Sequence, residues 1–450
     1  MGKLFGTDGI RGVANEYPMT PELALILGKA IAFLFKKETN TTHIVVARDP
    51  RLSGDMIEYA LISGICSCGV NVFHLGIKPT PAAAFLTVSS KAAAGVMISA
   101  SHNPYYDNGI KIFNGDGYKL SDEKEHEIES MITSGQAAGF GRSMREVGQV
   151  VFEKNAESRY VDFLISLFPA NFSAKGLKVV IDCSNGATYR VAPQAIERIG
   201  ADLETLFNAP DGKNINDRCG SQHPEGVVKK VRETGADVGL AFDGDGDRLI
   251  AVDEKGNRVT GDQIIAICAN HLKNQGMLKN NRVVTTVMSN IGLKIAFKRM
   301  GIDLCEAPVG DRYVLEEMIR SGAVLGGEDS GHMIFLDHHT TGDGIFTALK
   351  LIEALMSGSK PLSELTRIVE IFPQVLMNVP VRKRTDIEKI PELVDVIREV
   401  EAELGEKGRV LVRYSGTQPL CRVMVEGPTD LETRSYCRRI VDVVEKKLGI

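Results

Sequence analysis

Apolar and polar positions along this chain follow a recurring order of short apolar run, polar turn and amphipathic segment. The first unit has a strand at residues 44–48, a polar turn, a helix over about residues 54–68 and a second strand at 70–75. This order is typical of βαβ units, which build mostly parallel sheets covered by helices.

The same plan recurs twice and then changes. Strands at residues 177–183 and 282–287 each precede a polar turn and a helix, whereas from residue 374 the order becomes strand, helix, two strands and a final helix. We therefore predict an α/β fold with three related mixed α/β domains and a smaller C-terminal α+β domain. The predicted domain bounds are residues 1–150, 151–254, 255–370 and 371–450.

Composition narrows the function classes. Hydrophobic residues make up 43% of the chain and charged residues 25%, with a net charge of −5, so bulk charge gives no reason to expect nucleic-acid binding. No apolar run approaches the roughly 18 residues that a membrane span needs. Of the eight cysteines, only Cys66 and Cys68 are close in sequence, and we interpret them as core residues of a reduced, cytoplasmic protein.

An acidic turn is the strongest chemical signal. From Asp243 to Arg248, three carboxylates (Asp243, Asp245 and Asp247) alternate with glycines between two apolar, strand-like runs. Carboxylates crowded in this way repel one another unless a cation neutralises them, and hard oxygen ligands suit Mg²⁺ or Mn²⁺. A solvated acidic turn without metal is the alternative, since turns favour Asp and Gly.

A serine turn is the second signal. Ser101 and His102 follow an apolar strand at residues 94–98, and Lys111 lies downstream. A hydroxyl in a turn at a strand end suits a nucleophile, although serine in such a turn is often only a local cap. Serine, a divalent-metal loop and scattered cations together indicate phosphoryl transfer, in which catalysis is mostly positioning and charge stabilisation.

Three further polar loops complete the set of candidates. A glycine-framed loop near the N-terminus carries Arg11. A loop after another apolar strand carries Glu328, Ser330 and His332, whose polar groups could bind sugar hydroxyls or move a proton. In the last module, arginines and hydroxyls around a glycine turn could grip a phosphate; these residues are Arg413, Ser415, Gly416, Thr417 and Arg422.

Together these motifs resemble the α-D-phosphohexomutase superfamily over nearly the whole chain. The stretches that carry the resemblance are residues 5–12, 99–104, 211–216, 219–225, 243–248, 328–332 and 413–422. Within the superfamily, three of these stretches and the serine at position 99 are similar to the bacterial phosphoglucosamine mutases; the stretches are residues 5–12, 211–216 and 219–225. Gln418 and Tyr414 depart from the pattern, since the family's phosphate loop usually has Glu and often Pro at those positions.

The resemblance implies a heart-shaped arrangement of four domains and assigns roles to the candidate residues. The catalytic group would comprise a phosphoserine at Ser101 with His102, Lys111 and Arg11. One Mg²⁺ per chain would be held by the Ser101 phosphate, Asp243, Asp245 and Asp247. The substrate would be bound by Arg248, Glu328, Ser330, His332, Arg413, Ser415, Gly416, Thr417 and Arg422.

The implied activity is interconversion of glucosamine 6-phosphate and glucosamine 1-phosphate through a hexosamine 1,6-bisphosphate, with a hexose or hexosamine bisphosphate as primer, feeding UDP-N-acetylglucosamine synthesis. The expected partner is a small-molecule sugar phosphate, with no nucleic acid and no membrane, on a monomer or homodimer. Either an activating kinase or autophosphorylation would phosphorylate Ser101. Alternatives are phosphomannomutase/phosphoglucomutase activity, a metal-dependent phosphatase and a non-enzymatic sugar-phosphate or metal-binding protein.

Overall fold

The computed structural model describes residues 4–6, 8–38, 43–143, 146–358, 360–415 and 419–450. The chain forms two compact units. The larger comprises Met1–Val287 with Asp303–Thr366, and the smaller comprises Met288–Ile302 with Arg367–Ile450. Within the described ranges, no helix has the length and apolar character needed to cross a membrane.

Six strands form the first sheet of the larger unit: β1 (Ile10–Val13), β2 (His43–Arg48), β3 (Asn71–Ile77), β4 (Ala94–Ile98), β5 (Asp107–Asn114) and β6 (Val150–Phe152). Four helices accompany them: α1 (Pro21–Glu38), α2 (Gly54–Ser67), α3 (Thr80–Ser89) and α4 (Asp122–Thr133). The strand order is β1-β5-β4-β2-β3-β6. β2 is parallel to β3 and β4, whereas β5 is antiparallel to β1 and β4.

Both faces of this sheet are covered. Ile44 and Val46 of β2 belong to one apolar cluster with residues of α1 and α2, while Val45 and Ala47 belong to a second cluster with residues of α3. Because successive side chains of a strand point to opposite faces, the two clusters lie on opposite sides. All of β4 is consequently buried, and the loop that leaves its end carries Ser101.

The second sheet contains β7 (Lys178–Asp182), β8 (Asp202–Leu206), β9 (Val238–Phe242), β10 (Leu249–Asp253) and β11 (Arg258–Val259). Its helices are α5 (Ala156–Ser166), α6 (Val191–Arg198) and α7 (Glu225–Thr234). The order is β11-β10-β9-β7-β8, with β7 parallel to β8 and β9, and β10 antiparallel to β9. The turn between β9 and β10 holds the three aspartates.

The third sheet contains β12 (Arg282–Thr286), β13 (Asp303–Ala307), β14 (Leu325–Gly327) and β15 (Met333–Phe335), in the order β13-β12-β14-β15. The helices along this part of the chain are α8 (Gly261–Asn274), α9 (Ile291–Met300), α10 (Asp311–Ser321), α11 (Gly344–Met356) and α12 (Leu362–Leu365). A capping box of Thr260 and Gln263 begins α8, and Asp343 caps α11 by accepting the Phe346 N–H at 2.9 Å. Such caps satisfy amides that the helix cannot pair itself.

The smaller unit is built on an antiparallel sheet in the order β16-β18-β17, with β16 (Gln374–Pro380), β17 (Arg409–Tyr414) and β18 (Leu420–Glu426). Helices α13 (Pro391–Leu404) and α14 (Asp430–Leu448) supply apolar residues to its core. Helix α9 belongs to this unit. Asn290 donates to the Phe372 carbonyl at 2.9 Å, and the Ile291 N–H donates to Glu426 Oε2 at 2.9 Å.

The three α/β sheets and the smaller C-terminal sheet confirm the predicted fold class. β1 and β5 were not predicted as strands, because their glycines, Asn108 and the buried Lys111 interrupt the apolar pattern. The helix predicted after the third strand repeat is present as α9, and residues at its N-terminus form hydrogen bonds with the C-terminal module.

Candidate active site

Ser101 lies buried in the loop after β4. Its φ of +52° is a left-handed conformation that is uncommon for residues other than glycine and is often found at functional sites. Its hydroxyl donates to Asp243 Oδ2 at 2.6 Å, and His102 Nδ1 lies 3.3 Å from the same hydroxyl. Ser99 Oγ accepts the Ser101 N–H at 2.9 Å. The loop thus directs the hydroxyl toward the acidic turn.

The imidazole ring of His102 is neutral near pH 7. Burial, followed by the nearby positive charges of Arg248 and Arg11, lowers its pKa to about 4. A histidine with this pKa is unprotonated near pH 7 and can accept a proton.

Two side chains hold the backbone of the Ser101 loop, and sequence reasoning gave neither of them a role. The fully buried Arg51 pairs with Asp49 at 2.8 Å and donates to the carbonyls of Ser101 and Asn103, both at 2.8 Å. Asn216, from the second α/β region, donates to the same two carbonyls at 2.9 and 3.0 Å. Each carbonyl has two lone pairs and accepts both donors. The strained loop is therefore fixed from two sides.

The three aspartates converge in the turn between β9 and β10. Asp243, Asp245 and Asp247 are buried, and one carboxylate oxygen from each lies within 4.8 Å of the other two. The turn packs closely on the serine loop, since a Cβ at Gly244 would lie 2.5 Å from the Ser101 carbonyl oxygen. Only glycine fits there. The sequence-predicted convergence of serine and carboxylates is present.

The donor set fits a hard divalent cation. Asp245 Oδ1 and Asp247 Oδ1 are buried and have no hydrogen-bond partner among the described residues. Burial, reinforced by Asp247 and Asp245, raises the pKa of Asp243 well above its ordinary value. Burial also disfavours the charge of Asp245, but Lys111 outweighs it, and the pKa of Asp245 is lowered. Buried, unpartnered carboxylate oxygens are the ligands that Mg²⁺ takes in proteins.

Lys111, on β5, is buried beside these carboxylates. Its Nζ lies 2.8 Å from Asp245 Oδ2 and 3.3 Å from both Asp247 Oδ2 and Asp8 Oδ2. Burial disfavours its charge, but the three carboxylates outweigh burial and raise its pKa well above the ordinary value. Lys111 is therefore a charged hydrogen-bond donor that can stabilise an anion. Arg11 lies on the same side, paired with Asp8 and 3.4 Å from the Ala100 carbonyl.

A second charged network was also missed from the sequence. Lys119 bridges Asp8, at 2.5 Å, and Asp311 at the start of α10. Burial disfavours ionisation of Asp8, but Lys111, Lys119 and Arg11 outweigh it, and its pKa is lowered well below the ordinary value. This network connects the N-terminal loop to the third sheet. No sequence motif identifies it, because its members are far apart along the chain.

The loop between β14 and β15 presents unpartnered polar groups. Neither ring nitrogen of the buried His332 nor the Ser330 hydroxyl has a hydrogen-bond partner among the described residues. Glu328 Oε1 accepts the Gly310 N–H at 3.2 Å, which orients that carboxylate and leaves its other oxygen available. Acceptors and donors of this kind suit the hydroxyls of a sugar.

This loop is tied to the acidic turn and to α8. The Leu249 N–H donates to the Gly331 carbonyl at 3.0 Å, which joins the end of the acidic turn to the polar loop. The Asp262 N–H, at the start of α8, donates to Asp329 Oδ1 at 3.2 Å. Asp329 thus caps a helix, while its neighbours remain free to face a ligand.

A cleft of about 510 Å³ is lined by residues of the N-terminal loop, the serine loop, the acidic turn and the loop between β14 and β15, although Ser101, Lys111 and Ser330 are not among its lining residues. Its polar lining consists of Asp8, Arg11, His102, Asp247, Arg248, Asp311, Glu328 and His332. Arg248 donates its backbone N–H to Asp243 Oδ1 at 3.1 Å, and its Nε lies 3.8 Å from Asp247 Oδ1. Concave sites with a few convergent polar groups are the usual form of small-molecule sites, and the mixture of cations and acceptors suits an anionic polyol.

The smaller unit contains the predicted anion-binding pair. Arg413 of β17 and Arg422 of β18 are directly opposite each other in the sheet. Burial and the charge of Arg422 lower the pKa of Arg413, and Arg422 Nε is buried with no hydrogen-bond partner among the described residues. The Ser415 N–H closes the hairpin onto the Leu420 carbonyl at 2.9 Å. Gly416, Thr417 and Gln418 lie outside the described residues.

Comparison with known proteins places these features in a family context. Two relatives align over the full length of both chains: the phosphoglucosamine mutase of Syntrophus aciditrophicus (strain SB) at 58% identity and that of Syntrophobacter fumaroxidans (strain DSM 10017 / MPOB) at 55%. A solved structure, of a phosphoglucomutase/phosphomannomutase family protein from Burkholderia thailandensis, covers 100% of this chain and 99% of its own with a TM-score of 0.82 at 23% identity.

Four family models match in succession along the chain. Phosphoglucomutase/phosphomannomutase alpha/beta/alpha domains I, II and III match residues 2–138, 158–256 and 260–372, and the C-terminal domain matches residues 376–443. Ser101 and the three aspartates fall in domains I and II respectively. The chain therefore belongs to the phosphoglucomutase/phosphomannomutase family, which confirms the resemblance to the α-D-phosphohexomutase superfamily.

Proposed function

We propose that this protein is a phosphoglucosamine mutase, an intramolecular phosphotransferase that interconverts glucosamine 6-phosphate and glucosamine 1-phosphate. The observation that carries the proposal is the 2.6 Å hydrogen bond from Ser101, in a left-handed loop, to Asp243 of the buried aspartate cluster. The full-length relatives at 58% and 55% identity support the glucosamine substrate.

In the first half-reaction, the phosphoryl group of phosphorylated Ser101 passes to the free hydroxyl of the sugar phosphate. The bond from phosphorus to Ser101 Oγ breaks as a bond to the sugar oxygen forms, and the product is a hexosamine 1,6-bisphosphate. The second half-reaction returns the other phosphoryl group to Ser101 and releases the isomer. A hexose or hexosamine 1,6-bisphosphate also serves as the primer that phosphorylates an empty Ser101.

Protons must move in step with the phosphoryl group. The sugar hydroxyl loses a proton as it attacks, and Ser101 Oγ gains one as it leaves. We assign His102 as the acceptor, because its Nδ1 lies 3.3 Å from Ser101 Oγ. We assign Lys111 as the donor and Arg11 as the additional cation, because Lys111 Nζ is buried beside Asp245 and Asp247 of the turn that accepts the hydrogen bond from the Ser101 hydroxyl.

Asp243, Asp245 and Asp247, with a phosphate on Ser101, would hold one Mg²⁺. The unpartnered oxygens of Asp245 and Asp247 support this assignment. When bound, the cation would offset the negative charge of the transferring phosphoryl group.

The remaining roles concern substrate binding. We assign the sugar hydroxyls and amine to Glu328, Ser330 and His332, and the neighbouring phosphate oxygens to Arg248. We assign the non-reacting phosphate to the C-terminal hairpin, with Arg413, Ser415, Gly416, Thr417 and Arg422. Among the described residues, no carboxylate forms an ion pair with Arg413 or Arg422. Two like charges side by side repel one another unless an anion neutralises them, so this pair favours an anion.

A coupled mutase assay tests the function. The enzyme would be given Mg²⁺, a trace of glucose 1,6-bisphosphate and, in parallel, glucosamine 6-phosphate, glucose 6-phosphate or mannose 6-phosphate. Fastest conversion of the glucosamine substrate is expected. Faster conversion of mannose or glucose phosphate would overturn the substrate, and phosphate release without isomerisation would overturn the reaction.

A further inference from the structure

Thr80 makes an unusual contact for a residue at the start of a helix. It is the first residue of α3, within the region matched by domain I, and it is fully buried. Its hydroxyl donates to Asp245 Oδ2 at 2.5 Å, and its backbone N–H donates to the Asp245 carbonyl at 2.8 Å. The threonine therefore grips both the side chain and the main chain of an aspartate in the neighbouring domain.

These contacts leave Asp245 with one orientation. Oδ2 accepts from Thr80 and, at 2.8 Å, from Lys111, whereas Oδ1 is buried with no hydrogen-bond partner among the described residues. A carboxylate held at one oxygen and open at the other has its free lone pairs fixed in direction. Partners of this kind orient metal ligands and commonly change metal affinity by about 10- to 100-fold when removed.

Thr80 differs from Lys111 in what it contributes. Lys111 brings a positive charge beside the carboxylates, which competes with a cation as well as orienting Asp245. The Thr80 hydroxyl is neutral, so it orients Asp245 without that competition. The closeness of the two segments is also fixed by Gly246, where a Cβ would lie 3.0 Å from Pro79 Cβ.

We propose that Thr80 is a positioning residue for the divalent cation, acting through Asp245 and linking domain I to the metal turn of domain II. This inference rests on the proposed function, because it assumes that the aspartate cluster binds the metal. The role of Thr80 is argued through its hydrogen bond to Asp245 Oδ2 and not as a ligand of the cation.

The test is Mn²⁺ binding to the purified full-length enzyme, phosphorylated on Ser101 to the same extent in every variant, followed by electron paramagnetic resonance without substrate. Thr80→Val keeps the shape of the side chain and removes the hydroxyl, and Thr80→Ser restores it. Thr87→Val is the matched control: Thr87 is a fully buried threonine of the same helix, whose hydroxyl donates to the Ala83 carbonyl at 2.7 Å.

We expect Thr80→Val to raise the Kd for Mn²⁺ by about 10- to 100-fold, with Thr80→Ser and Thr87→Val close to wild type. If Thr80→Val does not fold, Thr80→Ala is measured in its place. Wild-type affinity in the folded Val or Ala variant would overturn the inference while leaving the proposed function intact. An equal loss in Thr87→Val would overturn it too. Failure of the wild-type enzyme to bind Mn²⁺ would overturn both the metal assignment and this inference.

Discussion

Replacing Asn216 is expected to slow phosphoryl transfer without weakening sugar-phosphate binding. The Asn216 amide donates to the carbonyls of Ser101 and Asn103 at 2.9 and 3.0 Å, and it does not line the cleft. Asn216 has a φ of +59°, so glycine is the substitution that removes the amide without straining the backbone.

The magnitude follows from the two hydrogen bonds. Each contributes about 0.5–1.5 kcal/mol net, and Arg51 still donates to both carbonyls at 2.8 Å, so neither is left unpaired. A loss of about 1–2 kcal/mol is therefore expected. If that loss falls on the transition state, kcat drops by about 5- to 30-fold. Asn216→Ala adds roughly 1–2 kcal/mol of left-handed strain, which should appear in stability.

The assay is steady-state kcat and KM, together with single-turnover transfer from phosphorylated Ser101 and the thermal unfolding midpoint. Asn281→Gly is the matched control, because Asn281 is an exposed asparagine that also has a left-handed φ, +46°. The reasoning is refuted if Asn216→Gly matches wild type in transfer rate. It is also refuted if KM rises while kcat is unchanged, since Asn216 would then act on the sugar phosphate.

Three further outcomes are expected. Ser101→Ala should abolish mutase turnover while leaving the circular dichroism spectrum unchanged, because a buried methyl group fits the same space; retained turnover would contradict the role of Ser101. Chelation of divalent cations should stop turnover, and Asp247→Asn should weaken Mn²⁺ binding by removing one charge from the cluster; calorimetric titration showing wild-type affinity would oppose this. Burial raises the pKa of Asp343 to about 6. The fold therefore prefers the protonated carboxyl, and this stabilisation, complete below about pH 4, is lost as the pH rises toward 6. Asp343→Asn cannot ionise. The unfolding free energy of the variant minus that of wild type should therefore increase by up to about 3 kcal/mol between about pH 4 and pH 7; a difference independent of pH would count against the raised pKa of Asp343.

The sequence allowed the reacting loops to be predicted because each is a polar turn after a buried strand. Ser101 follows β4, and Asp243 follows β9, both of which are apolar throughout. The contrast between a continuous apolar run and the polar turn after it can be seen in the amino-acid sequence alone. The α/β fold class was predictable for the same reason, since the alternation of strands and helices is local.

The supporting residues could not be predicted in this way. Arg51, Asn216 and Thr80 act through contacts with residues 50 to 165 positions away along the chain. Arg51 and Asn216 stand in loops, and Thr80 begins α3. The role of Lys119 could not be predicted for the same reason, because its partner Asp311 lies at the start of α10, in the part of the chain that forms the third sheet. Strand pairing and domain packing bring such residues together, and no local pattern of hydrophobic and polar positions encodes that pairing.

The central claim is that Ser101 carries the phosphoryl group that moves to glucosamine phosphate. Its most direct test is intact-protein and peptide mass measurement of the phosphorylated enzyme before and after one equivalent of glucosamine 6-phosphate is added with Mg²⁺. In samples quenched within the first turnover, we predict that a single phosphoryl group is lost from Ser101 as hexosamine 1,6-bisphosphate appears, and that it is regained as glucosamine 1-phosphate forms. A phosphoryl group on another residue, or its loss as free phosphate with no bisphosphate formed, would contradict the account.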